Sequence, residues 1–92
     1  MQPANILVAD DDAVARDLLA EALKKEGYAV EAFASGEEVI DRGRQGRVDL
    51  VLTDIRMGAV DGLAVLREFK RMSPDTAVVV LTSFGSLEGA IE

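Results

Sequence analysis

Apolar residues gather in four short runs, Ile6 to Ala9, Tyr28 to Phe33, Val48 to Thr53 and Ala77 to Leu81, and between the runs they recur at helical spacing. ILVA is apolar throughout and without alternation, which predicts a central strand buried on both faces of a parallel sheet. YAVEAF alternates better and carries Glu31, as an edge strand with a wetter face does. VDLVLT and AVVVL predict a third and a fourth strand. After Asp10, Asp11 and Asp12, the residues Val14, Leu18, Leu19, Ala22 and Leu23 form one apolar stripe with Arg16, Asp17, Glu21, Lys24 and Lys25 mostly outside it, so a helix is expected there with Gly27 as its C-terminal stop. Ser35 and Glu38 make a capping box that opens a second helix at Val39 and Ile40, and Gly43 and Gly46 are expected to keep it short. Leu63, Leu66, Phe69, Lys70 and Met72 outline a third helix, ended by Ser73-Pro74-Asp75. Thr82 to Gly85 reads as a loop, and Ser86 onward as the start of a further helix.

Strands alternating with helices at this spacing predict βαβ units, and hence an α/β fold: a doubly wound parallel sheet with helices on both faces. Sheets of this kind bind ligands beyond the carboxyl ends of their strands, where the winding reverses. A strand order of 2-1-3-4 puts that point between the first and third strands, the two that run into aspartates. Neighbouring strands lie about 4.8 Å apart, so Asp11 and Asp54 are expected to bring their carboxylates within several ångströms, with Asp10 on the same edge. Among the adjacent basic residues, Arg16 and Arg56 are the only candidates to neutralise both groups. A divalent cation is the simplest partner for such a cluster. The plainer alternative, that the Asp triplet caps the first helix, leaves Asp54 without a role. Thr82 follows the fourth strand and offers a hydroxyl to the same crevice, although Thr, Ser83 and Ser86 are equally able to cap a helix.

Composition narrows the chemistry. With 92 residues the chain has room for one domain, and 49% hydrophobic residues suffice for a core. The absence of Cys and His excludes disulfides and the usual zinc ligands. The expected ion is therefore an oxygen-liking one, Mg²⁺ first and Mn²⁺ or Ca²⁺ as alternatives. A net charge of −7 argues against nucleic-acid contact by this segment. No signal peptide precedes Ile6, and no apolar run approaches the roughly 20 residues that span a bilayer, so the expected compartment is the cytoplasm.

Three motifs in register, ILVADDDAVAR, LVLTDIRM with Asp61-Gly62, and VVVLTSFGS, resemble the receiver domain of bacterial two-component response regulators across nearly the whole chain. The resemblance implies a flavodoxin-like fold with Asp54 as the phosphoacceptor. It further implies that Asp11 binds Mg²⁺ directly, Asp10 largely through water and Arg56 through its backbone carbonyl, and that the hydroxyl of Thr82 is the switch that turns toward the phosphoryl group. Asp12 stays a helix-cap acid. The implied partners are a sensor histidine kinase or phosphotransfer protein and the chain's own output region. The implied activity is Mg²⁺-dependent phosphorylation and dephosphorylation of its own aspartate, not catalysis on other substrates. The ending TSFGSLEGAIE is similar to receivers of sigma-54-dependent activators related to nitrogen regulatory protein C, whose output is an ATPase with a DNA-binding region.

Two departures from the family pattern stand out. Gly58 occupies a position that is usually Pro. No lysine follows Thr82, whereas the family places a phosphoryl-pairing lysine on a fifth strand, so residues 1–92 are expected to be a receiver truncated before its fifth strand and helix. On that expectation AVVVL becomes an exposed apolar edge, open to dimerisation or strand exchange. Two rival readings remain at this point. One is a haloacid dehalogenase-type phosphohydrolase with Asp10 as nucleophile and Asp12 as acid, which leaves Asp54 idle and lacks room for a cap after the first strand. The other is a pseudo-receiver that binds proteins without being phosphorylated.

Overall fold

A computed structural model describes residues 3–81. In chain order the elements are β1 (Asn5–Ala9), α1 (Ala13–Lys25), β2 (Ala29–Phe33), α2 (Gly36–Gln45), β3 (Leu50–Asp54), α3 (Gly62–Met72) and β4 (Ala77–Leu81). The strands form one parallel sheet in the order β2-β1-β3-β4, the expected order. Thr82 and the helix expected from Ser86 lie outside the described residues.

Parallel strands covered on both faces need apolar side chains at successive positions, and β1 supplies them: Ile6, Leu7, Val8 and Ala9 are all buried. One face of the sheet packs on α2 and α3 through Leu7, Ala9, Val39, Val48, Val51, Met57, Val65 and Phe69. Here Gly43 is a packing residue and not a helix stop, because a Cβ on it would lie 2.5 Å from Phe69 Cζ and 2.7 Å from Met72 Cε. Helix α2 therefore runs through Gly43 to Gln45 and is longer than the glycines suggest. Half of its capping box forms: the Glu38 amide donates to Ser35 Oγ at 3.3 Å, while the Glu38 carboxylate accepts from the Ser35 hydroxyl at 3.0 Å instead of from the Ser35 amide.

Helix α1 departs from its expected stripe. It lies toward β1 and β2 on the opposite face of the sheet. There it buries Ala20, with Arg16, Leu19 and Leu23 half-buried, while Val14 and Leu18 are each 68% exposed. The apolar arc is wider than the contact, and the sheet takes up its Leu19–Leu23 side. Strand register places Val79 beside Leu52. Val79 and Leu81 are 43% and 41% exposed, so the apolar edge expected of β4 is present among the described residues. At the other edge Glu31 of β2 is capped by Arg42 of α2, with Nε 2.7 Å from Oε2.

Strand β3 starts later than the hydrophobic run suggests and extends through Asp54. The segment before it is tied down by polar bonds. The Asn5 amide donates to Asp49 Oδ2 at 2.7 Å, Arg47 Nε donates to Asp49 Oδ1 at 3.1 Å, and Thr76 Oγ1 donates to the Val48 carbonyl at 2.7 Å.

Candidate functional site

Asp54 is the last residue of β3, paired with Leu81 on β4, and the next amide, Ile55 N–H, donates to the Leu81 carbonyl at 2.9 Å. The ladder thus continues past Asp54 and holds its backbone. Gly62 adds a close approach from the other side. Its amide donates to the Ile55 carbonyl at 3.0 Å, and a Cβ on it would lie 2.5 Å from Asp54 O and 2.9 Å from Ile55 Cα. Asp61 caps α3 in the same turn by accepting the Ala64 amide at 2.9 Å. Between Asp54 and Gly62 the chain reverses through Gly58, whose φ of 48° lies in the left-handed region. Proline, with φ fixed near −65°, has no access to that conformation, so the glycine at this position is used as a glycine.

On the β1 side Asp10 stands just past the strand. Its amide donates to the Phe33 carbonyl at 3.1 Å, its Oδ1 accepts the Asp12 amide at 2.9 Å, and its carbonyl accepts Arg16 Nη1 at 3.0 Å. Asp12 is the N-cap of α1, its Oδ1 accepting from Val14 at 3.0 Å and Ala15 at 3.5 Å. The capping alternative is therefore right for Asp12 and does not extend to its neighbours. Asp10, Asp11 and Asp54 each bring a carboxylate oxygen to within 4.8 Å of the others. Asp10 and Asp54 are half-buried and Asp11 is exposed. None of the ion pairs among the described residues involves these three acids. The Asp10 carboxyl titrates above its ordinary value, because partial burial disfavours its charge and the charges of Asp54, Asp11 and Asp12 repel it, while the Asp12 amide works in the opposite direction.

Three clustered carboxylates without a described cationic partner, next to exposed chain, fit a hard divalent ion. Arg56 is exposed on the loop two residues after Asp54. The two basic residues noted beside the cluster in the sequence do not pair with it, and Arg16 reaches a backbone carbonyl instead. Thr82 lies outside the described residues. Two residues shape the site in ways that the sequence does not show. Arg16 is noticed in the sequence as a nearby cation on the polar face of α1, but its bond to the Asp10 carbonyl is not. Gly62 stands in a motif with Asp61, and the Asp61 N-cap pattern would have put it at a helix start, pressed against the strand end.

Residues 6–92 match the family described as the response regulator receiver domain. The chain belongs to this family. The receiver is 39% identical over 88 residues to the transcriptional regulatory protein ZraR of Escherichia coli K12, covering 96% of this chain and 20% of ZraR. It is 36% identical over 91 residues to the DNA-binding transcriptional regulator NtrC of Klebsiella pneumoniae, covering 99% of this chain and 19% of NtrC. The subfamily expected from TSFGSLEGAIE is thus met among its relatives, and the chain spans about a fifth of their length. The response regulator TrrA of Thermotoga maritima, solved in complex with Mg²⁺-BeF, superposes with a TM-score of 0.84 at 35% identity, over 94% of this receiver and 75% of TrrA. A receiver domain from Methanospirillum hungatei gives a TM-score of 0.87 at 28% identity, over 98% and 72%. Nothing in these likenesses favours the hydrolase or the pseudo-receiver, and the acid that the hydrolase needs at Asp12 is engaged in capping α1. Among the described residues no helix is long and apolar enough to cross a membrane.

Proposed function

We propose that Asp54 is the phosphoacceptor of this receiver and that Asp10 and Asp11 complete a Mg²⁺ site beside it. The observation that carries the reading is the convergence of Asp10, Asp11 and Asp54 to within 4.8 Å from the ends of two adjacent strands. A carboxylate oxygen of Asp54 attacks the phosphorus of a partner's phosphohistidine in line. An O–P bond forms, the P–N bond breaks, and its electron pair stays on the imidazole nitrogen. Asp11, Asp54 and the Arg56 carbonyl would hold the metal, with Asp10 acting through water and Mn²⁺ as a substitute ion. Bound there, Mg²⁺ supplies positive charge to the phosphoryl oxygens during transfer. The chain's own part is to hold the nucleophile still, through the β3–β4 ladder and Gly62, in a crevice where positioning and electrostatics supply most of the rate. The hydroxyl of Thr82 is assigned the switch role, turning toward the new phosphoryl group and biasing the segment after β4.

The partners on this reading are a sensor histidine kinase or phosphotransfer protein in the cytoplasm and an output region of the ATPase and DNA-binding kind. The catalysis concerns this chain's own aspartate. The exposed edge of β4 is where dimerisation or strand exchange would add a neighbour. Light scattering showing a monomer at high concentration would remove that part of the proposal.

Incubation with acetyl phosphate and Mg²⁺, borohydride trapping and mass spectrometry tests the assignment. A label on Asp54 that disappears in Asp54→Asn is expected. Normal labelling of that variant, or a label on Asp10 with turnover, overturns it.

A further inference from the structure

We infer that Arg16 is a positioning residue for the metal edge of the site, acting through the peptide group that joins Asp10 to Asp11. The inference rests on the metal site proposed above. β1 ends at Ala9, so the carbonyl of Asp10 has left the strand. That carbonyl belongs to the planar unit linking the two acids, and Arg16 Nη1 donates to it at 3.0 Å. Rotation of this plane would swing the Asp11 side chain relative to Asp10. Three bonds oppose the rotation: the Asp10 amide to Phe33 O at 3.1 Å, the Asp12 amide to Asp10 Oδ1 at 2.9 Å, and the Arg16 guanidinium. Of the three, the guanidinium is the one side-chain donor and the one that acts on the shared plane from the body of α1. Arg16 is itself anchored, half-buried in the first turn, with its amide donating to the Asp12 carbonyl at 2.9 Å.

The direction of the guanidinium also matters. Among the described residues Arg16 makes no ion pair with an acid. A cation placed on the carboxylates would compete with a divalent ion for the same oxygens. Placed on the carbonyl, it orders the acids and leaves their oxygens available.

The test is a Mg²⁺ titration of the chain followed by amide chemical shifts, with Arg16→Met, which keeps the stem and loses the donors, and Arg16→Lys, which keeps one donor group. Hydrogen-bonding partners just outside a metal's ligands are typically worth 10–100-fold in affinity, so Arg16→Met is expected to weaken Mg²⁺ binding by about tenfold, with Arg16→Lys recovering part of the loss. In the metal-free Met variant the Asp11 and Asp12 amides are expected to shift. A Met variant that binds Mg²⁺ within about twofold of the parent chain, or a Lys variant no tighter than Met, overturns the inference. Both replacements are good helix formers. If Met nevertheless impairs folding, Arg16→Gln, too short to reach the carbonyl, replaces it with the same expected loss. A residue that merely supports α1 would lower the melting temperature and leave the Mg²⁺ affinity unchanged, which also overturns the inference. A parent chain that shows no Mg²⁺ response removes the site reading together with this one, whereas a responsive parent with unaffected variants removes this one alone.

Discussion

Gly62 shows how much of the position of Asp54 depends on a residue with no functional group. Because a Cβ there would meet backbone atoms of Asp54 and Ile55 at 2.5 and 2.9 Å, the strain has no flexible side chain to absorb it. Gly62→Ala is expected to cost about 1–3 kcal/mol in urea unfolding, the usual range for overpacking, and to reduce labelling of Asp54. Asp49 gives a pH-dependent counterpart. Its carboxyl titrates below its ordinary value of 3.8, first because the Asn5 amide donates to it and then because Arg47 pairs with it. A depressed folded-state pKa adds stability that is fully present above the unfolded-state value and is lost as the pH falls through the folded-state value. Asp49→Asn should therefore melt below the parent chain at neutral pH, with the gap closing in strong acid, as thermal scans across pH would record. The acids at the ends of β1 and β3 were legible in the sequence because a charge after a buried apolar run is conspicuous. The parts played by Arg16 and Gly62 were not, since a bond to a carbonyl six residues back and a close backbone approach leave no mark in hydrophobic periodicity.

Helix α1 sets the limit of that reading at the scale of elements. Val14 and Leu18 lie on the same apolar arc as Leu19 and Leu23, and the spacing alone does not choose between the two sides of the arc. The position of α1 over β1 and β2 makes the choice, leaving Leu18 68% exposed. Leu18→Ala is expected to change stability by less than about 0.5 kcal/mol, whereas Phe69→Ala, at the centre of the α2–α3 core, should cost about 3–5 kcal/mol. Urea denaturation of the two variants checks the contrast. β4 was predicted to the residue, because an uninterrupted β-branched run after Pro74 has definite ends. β3 was not. The apolar pattern begins at Val48, but Asp49 and Thr76 engage the chain there through side-chain bonds, and the strand slides forward to end on Asp54. The consequence is functional, since the phosphoacceptor proposed here becomes part of the ladder instead of part of the loop.

For the whole molecule, the site is a point where binding and folding meet. An ion that binds the folded chain alone stabilises it by RT ln(1 + [L]/Kd), about 2.7 kcal/mol at a hundredfold excess over Kd. Mg²⁺ is expected to raise the melting temperature and a chelator to reverse the rise, with Asp11→Asn blunting the effect in differential scanning. The sheet order gives this linkage a location. β1-α1-β2 and β3-α3-β4 are each built from pairings between consecutive strands, and in the sheet the two units meet at the Ile6–Ala9 to Leu50–Thr53 ladder, beside the core that Leu7 and Ala9 share with Val51, Val65 and Phe69. Asp10 and Asp11 stand on one side of that seam and Asp54 on the other. A cation shared by them would act as a clasp across that joint. Amide exchange along β1 and β3 should accordingly slow on adding Mg²⁺ more than exchange along β2 does, so that the chemistry of phosphate transfer and the mechanical integrity of the sheet are read from the same few hydrogen bonds.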